Sequence, residues 1–193
     1  VGNYAVLNPV GQVYSGSAGA VTDGNLKFTA APSSSDLASV FSSIALNGLV
    51  YFEWTLGLVG TGGSYQFALG ASQPTSSNPG YSVLCVKSAY SGSGDINGLN
   101  SRTSGGGWTI VSAFTPANGD VYSFAIDAST GKTWFRINGG SWVGGGDPAA
   151  GTTPIYTFPS TTSPIYAAMI WAREQGNYGI ANFGQRPFAY TPP

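Results

Sequence analysis

Histidine is missing from these 193 residues, and cysteine and methionine occur once each. Without histidine there is no Ser-His-Asp or Cys-His nucleophile and no imidazole for a transition metal. A lone Cys85 excludes an intrachain disulfide and, with no histidine in the chain, the usual zinc sites. Charge is scarce as well. Charged residues make up 8% of the chain, against about 25% in an ordinary soluble domain. The net charge is −1 with no basic run, which removes the electrostatic footprint of a nucleic-acid binder. No stretch approaches the ~20 apolar residues of a membrane span, and the longest apolar run, 48–60, carries Glu53 at its centre. The only two glutamates are Glu53 and Glu174, and neither has an acidic neighbour two residues away. The paired carboxylates of a glycosidase, which must stand about 5–10 Å apart, therefore have no motif here. Helical periodicity is missing too, since the serines and β-branched residues of 34–44 favour strand or loop. Val1 in place of Met leads us to expect a processed, trimmed or excised chain.

What the chain does have is aromatic residues, 13% of the total, and 29 glycines. That much apolar area supports a core and argues against disorder. Period-2 alternation runs through it. Val50, Phe52, Trp54 and Leu56 fall on one face of a strand, with Tyr51, Glu53 and Thr55 on the other. The same pattern places Tyr65, Phe67 and Leu69 opposite Gln66, Ala68 and Gly70. It recurs at Tyr122, Phe124 and Ile126, and at Thr133, Phe135 and Ile137. Residues 128–131 (Ala-Ser-Thr-Gly) read as a hairpin loop. Asn138-Gly139 is a second hairpin signal, with Ser141-Trp142-Val143 as the expected return strand. Further strands are expected over 26–30, 40–46, 82–87, 165–171 and 178–183, and long loops over 88–107 and 139–163. Many short strands with Gly-rich turns predict an all-β sandwich of two antiparallel sheets, one domain over residues 1–193.

The end of the chain is its most specific segment. Asn182-Phe-Gly-Gln-Arg-Pro-Phe-Ala-Tyr-Thr-Pro-Pro193 closely resembles the closing segment of SPRY-like (B30.2-related) domains of bacteriophage and prophage proteins. Phe183, Phe188 and Tyr190 read as anchors that fix this tail to a sheet, while its prolines stop it pairing as a strand. Other segments resemble the same family in the expected order. They are Tyr4-Ala-Val-Leu-Asn-Pro-Val, Val21-Thr-Asp-Gly-Asn-Leu-Lys-Phe, Gly48-Leu-Val-Tyr-Phe-Glu-Trp-Thr-Leu and Phe67-Ala-Leu-Gly-Ala. Asn118-Gly-Asp-Val-Tyr-Ser-Phe-Ala-Ile-Asp, Lys132-Thr-Trp-Phe-Arg-Ile-Asn-Gly and Pro164-Ile-Tyr-Ala-Ala-Met follow. The resemblance implies a concanavalin-A-like SPRY jelly roll and a binding or structural module without catalysis. Two departures are Ser123, where the family often has Gly, and the insert between Cys85 and Trp108.

Among the remaining polar residues, Asp120 and Asp127 fit turn-fixing roles. Asp95-Ile-Asn97-Gly-Leu-Asn100 has the outline of a calcium loop but lacks its dense acids and terminal Glu. We expect no metal and no cofactor. Gly105-Gly-Gly and Gly144-Gly-Gly lack the Lys-Ser/Thr of a phosphate loop and read as turns. Cys85, in an apolar strand, is expected to be a buried, unreactive thiol. The candidate ligand- or partner-binding set is Tyr90, Asn97, Asn100, Trp108, Trp142, Trp171, Arg173 and Tyr178, since aromatic faces beside amides suit sugars and protein partners alike. The alternative is that Trp108, Trp142 and Trp171 plug the ends of the sandwich. The resemblance leads to a structural, decoration or adhesion module of a virion exterior, contacting other virion proteins, further copies of itself or a host-surface glycan or protein. A soluble lectin-like binder is the alternative, and a glycosidase ranks third.

Overall fold

The computed structural model describes residues 5–10, 13–15, 19–29, 37–58, 64–71, 83–87, 98–102, 108–159, 164–172 and 176–193. Its strands are β1 (Val13–Ser15), β2 (Ala20–Thr22), β3 (Lys27–Thr29), β4 (Leu37–Phe41), β5 (Leu49–Leu58), β6 (Ser64–Ala71) and β7 (Val83–Lys87). They continue with β8 (Gly98–Arg102), β9 (Trp108–Ala113), β10 (Val121–Asp127), β11 (Lys132–Ile137), β12 (Tyr156–Thr157), β13 (Ile165–Ala172) and β14 (Tyr178–Asn182). One sheet has the order β1-β4-β13-β6-β7-β8-β9, the other β12-β11-β10-β5-β14-β3-β2. The strand pairings between neighbours are antiparallel. This is the expected all-β sandwich, and among the described residues no helix is long and apolar enough to cross a membrane.

Alternation on the long strands builds the core. The second sheet turns Phe52, Trp54, Leu56, Tyr122, Phe124 and Phe135 inward, and the first sheet answers with Phe67, Leu69, Leu84, Val86, Leu99 and Met169, all fully buried. Trp54 stacks on Phe67 across the two sheets at 5.5 Å, and Phe52 stacks on Phe124 at the same separation. The outward residues of β5, β10 and β11 then form rows across the second sheet. Leu49 stands beside Asp127 and Lys132, Tyr51 beside Ala125 and Trp134, and Glu53 beside Ser123 and Arg136.

The structure departs from the sequence expectation in several places: β4 ends at Phe41 where a strand is expected over 40–46, β9 is not expected from the sequence, and two further departures change the connections. Residues 98–102, expected inside a long loop, form β8. Only Leu99 on that strand carries the inward apolar signature, so its composition reads as loop. The second of these is the return strand expected at Ser141–Val143. Asn138 (φ 50) and Gly139 (φ 67) make the tight turn. However, Asn138 is locked to β10, donating its N–H to Val121 O and accepting Val121 N–H on Oδ1, both at 2.8 Å. The chain then curls through a 3₁₀ turn at Val143–Gly145, and Tyr156–Thr157 takes the place beside β11 instead. The loop at 128–131 closes the β10–β11 hairpin as expected.

Candidate functional site

The most elaborate constellation lies on the outer face of the second sheet, where residues 183–193 cross β5, β10 and β11. Its root is Phe183, whose ring turns inward and meets the core residues Phe52 and Trp54 at 5.7 Å each, before the chain passes to the outer face. Asn182 then folds the chain back, accepting Gly184 N–H on Oδ1 and donating Nδ2 to the carbonyls of Arg186 and Pro187. Gln185 reaches the Ala5 carbonyl and accepts Phe183 N–H at 2.8 Å. Phe188 sets its edge on the Tyr51 ring, 4.7 Å between centroids. Tyr190 packs on Gly139, where a Cβ would stand 2.2 Å from the ring. The three aromatic anchors read from the sequence are therefore seated.

At the centre of this face is Glu53, 3% exposed although it points away from the core. Its Oε2 accepts Ala189 N–H at 2.7 Å, and its Oε1 accepts Tyr190 N–H at 3.0 Å and the Tyr51 hydroxyl at 2.8 Å. The single Tyr51 proton goes to Glu53, so Ser123 Oγ, 3.1 Å away, donates to Tyr51. Arg136 Nη2 donates to Tyr51 Oη at 3.1 Å and to Thr191 O at 2.5 Å. Burial pushes the Tyr51 hydroxyl above its ordinary value; the Ser123 and Arg136 hydrogen bonds pull the other way, and Glu53 adds to the rise. The sequence places Glu53 on the outward face with no acidic partner, and it does not show that its partners come from the chain's end. The available signal was the outward polar row Glu53, Ser123, Arg136, lying on the face where the anchored tail has to run.

Asn100, Trp142 and Tyr178 are the candidate binding residues whose side chains are described. Tyr90, Asn97 and Arg173 lie outside the described residues. Trp108 opens β9 opposite Arg102, and Trp171 stands on β13 opposite Ala38 and Tyr65. Asn100 is a correction: it lies on β8 rather than in a loop, is 2% exposed and donates Nδ2 to Gly98 O at 2.9 Å, so it presents no side-chain surface to a ligand. Trp142 is half-buried, with the Arg136 guanidinium 4.5 Å from its ring centroid. Tyr178 lies on β14, outside a loop, over Gly57, where a Cβ would stand 1.9 Å from the ring, and Lys27 Nζ sits 4.1 Å above its centroid. Among the described residues no three of Cys, Asp and Glu gather as a metal cage.

Beside the tail runs a groove of about 370 Å³, lined by Leu49, Tyr51, Ala125, Trp134, Pro148, Ala149, Pro192 and Pro193 together with Val50 and Ile126. None of these side chains is charged. Two side-chain polar groups along it are engaged within the chain: the Tyr51 hydroxyl with Glu53, Ser123 and Arg136, and Trp134 Nε1 with Thr152 O at 2.7 Å.

No protein-family model and no curated protein matches the sequence. Solved structures do resemble the fold. The SPRY domain of human HERC1 is similar over 94% of this chain and 99% of its own, with a TM-score of 0.60 at 14% identity. The potassium-bound carbohydrate recognition domain of Emp46p is similar over 95% and 98%, with a TM-score of 0.55 at 11% identity. The NEUZ (NHR) domain of Neuralized from Drosophila melanogaster is similar over 96% and 95%, with a TM-score of 0.52 at 10% identity. The chain thus has the concanavalin-A-like, SPRY-type sandwich architecture expected from its motifs.

Proposed function

We propose that this domain is a non-enzymatic structural, decoration or adhesion module on the exterior of a bacteriophage particle. In this reading it contacts neighbouring subunits or a host-surface receptor. The observation that carries the non-catalytic part is the state of Glu53. A general acid or nucleophile must reach a substrate atom at hydrogen-bond distance. Glu53 is buried, and both of its oxygens are occupied by tail amides. The sandwich then acts as a rigid frame, and recognition falls to what its rim and outer faces present. The virion setting is supported by the resemblance of 182–193 to phage SPRY-like closing segments. Scarce surface charge supports it as well, because copies held close together repel one another little.

Immunogold labelling of intact particles with antibody to this domain tests the setting. Regular labelling of the exterior is expected, and particles that lack the domain by both labelling and mass spectrometry refute it. Polysaccharide cleavage that disappears in a folded Glu53→Gln protein would overturn the non-enzymatic reading.

A lectin-like binder is the second reading, favoured by the similarity to Emp46p, whose similar part is a carbohydrate recognition domain. A glycan array probed with a multimerised domain separates the two. Saturable binding to a defined glycan favours the lectin reading, and a blank array favours a structural or protein-binding role.

A further inference from the structure

The chain carries four Asn-Gly pairs, at 47–48, 97–98, 118–119 and 138–139. In such a pair the backbone nitrogen of the glycine can attack the side-chain amide of the asparagine, because glycine has no side chain to hinder the approach. Asparagine counts among the thermolabile residues. The attack asks two things of a folded chain. The asparagine side chain must be able to turn onto its own backbone, and the glycine N–H must have no acceptor. The pairs share one dipeptide, so the fold decides between them.

Asn138 fails the first condition. Its Nδ2 donates to Asp120 Oδ1 and its Oδ1 accepts Val121 N–H, both at 2.8 Å. The pair at 118–119 fails the second. Gly119 N–H donates to Leu56 O at 2.7 Å, and Asn118 is engaged as well. Asn97 lies outside the described residues. Asn47 meets both conditions. It is exposed, and among the described residues neither its side chain nor the Gly48 N–H has a hydrogen-bond partner. Gly48 lies in the left-handed region at φ +67, and a Cβ there would meet nothing within 4 Å, so the peptide stands open to water. Only the carbonyl of Gly48 is held, accepting Ala128 N–H at 2.9 Å.

We propose that Asn47-Gly48 is a self-modification site, at which the folded chain deamidates through a succinimide. The Gly48 nitrogen gives its proton to water or hydroxide and forms a bond to Asn47 Cγ. The Cγ–Nδ2 bond breaks, and Nδ2 leaves as ammonia after taking a proton from solvent. Water then opens the ring at either carbonyl, giving aspartate or isoaspartate. The net exchange is ammonia lost for water gained, and nothing is oxidised or reduced. The position gives the change a structural consequence. Leu46 N–H bonds to Ile165 O at 2.8 Å in the first sheet, and Leu49 pairs with Asp127 in the second, so Asn47 and Gly48 form the step from one sheet to the other. An isoaspartate puts an extra methylene into that step. Either product adds one carboxylate, taking the net charge from −1 to −2. The mark accumulates with the age of the folded chain. The inference goes beyond the virion and lectin readings and does not depend on either.

Peptide mapping by mass spectrometry of the purified chain, aged at mildly alkaline pH, tests it, with isoaspartate scored by electron-transfer fragmentation. In the folded chain Asn47 is expected to convert before Asn118 and Asn138. Each hydrogen bond that must open first slows the reaction about fivefold, so Asn118 should lag by at least about that factor and Asn138, with two such bonds, by about twenty-five-fold. In urea those bonds are gone, and the differences should collapse. Asn47→Gln, whose longer side chain would have to close a larger ring, should remove the first acidic form seen on anion exchange. The aspartate product should co-elute with the Asn47→Asp protein. An Asn47 that stays intact while Asn118 or Asn138 converts overturns the proposal. So do rates that stand in the same ratio folded and in urea, or an acidic form that appears in the Asn47→Gln protein as fast as in the parent.

Discussion

Glu53 sits on the outward side of an alternating strand, where a charged residue ordinarily meets water, and is buried all the same. It is stable there because backbone amides of Ala189 and Tyr190 and the Tyr51 hydroxyl surround its carboxylate, and charge-assisted hydrogen bonds to backbone N–H are the stronger kind. Glu53→Gln keeps the shape but turns an acceptor oxygen into an NH₂ that faces another donor. We expect a loss of about 2 kcal/mol in urea unfolding, the cost of leaving buried donors unsatisfied. An unchanged midpoint would show that the tail is held by its aromatics alone. Asp127 gives the pH-dependent counterpart. Hydrogen bonds from the Ser129 and Thr130 hydroxyls hold its carboxyl below the ordinary value of 3.8. A depressed folded pKa adds stability above the unfolded value, and this is lost as pH falls through the folded one. Unfolding midpoints followed from about pH 5 down to pH 2 should therefore fall less steeply for Asp127→Asn than for the parent.

At the scale of elements, what could be read from the sequence follows how each strand is buried. β5, β10 and β11 each have one face in the core and one outside, so alternation at Phe52-Trp54-Leu56, Tyr122-Phe124-Ile126 and Phe135 was legible. β8 and β12 were not, because Gly98–Arg102 is mostly polar and Tyr156–Thr157 is two residues long. The Asn138-Gly139 turn was legible, but its consequence was not, because a turn signal specifies local dihedrals and says nothing about which strand comes next. The tail's anchors were legible from aromatic spacing. Its target, the Glu53 carboxylate, lies more than 130 residues away and no local pattern points to it. Turn and tail meet at Gly139, which combines φ +67 with a Tyr190 ring where a Cβ would lie. Gly139→Ala should therefore cost about 1–3 kcal/mol, as a strained left-handed position does. It should also raise hydrogen exchange at the Ala189 and Tyr190 amides as the tail lifts. Equal exchange in both proteins would disconnect the turn from the tail.

At the scale of the whole molecule, the order of strands makes the last 30 residues the closure of both sheets. β13 lies between β4 and β6 in one sheet, and β14 lies between β5 and β3 in the other. Until they are present, β1 and β4 have no connection to β6–β9, and β2 and β3 have none to β5, β10 and β11. Each sheet is then split into two pieces with exposed inner edges, which are templates for aggregation. The buried faces of Ala167, Met169 and Ala181, and the Phe183 ring against Phe52 and Trp54, are missing from the core as well. Such a topology, rich in pairings distant in sequence, belongs with the slower folders, in the range of milliseconds to seconds. A chain ending at residue 163 is therefore expected to show no cooperative urea transition and to aggregate on refolding. A chain ending at residue 191 keeps Ala189, Tyr190 and the Thr191 carbonyl that meet Glu53 and Arg136, and loses only the two exposed prolines at the groove wall. It should unfold within about 1 kcal/mol of the parent, as surface changes usually do. A cooperative transition from the 1–163 chain would mean that half-sheets are stable alone, and the closure argument would then fail. An unstable 1–191 chain would instead place the tail's holding energy in its final prolines rather than in the Glu53 centre.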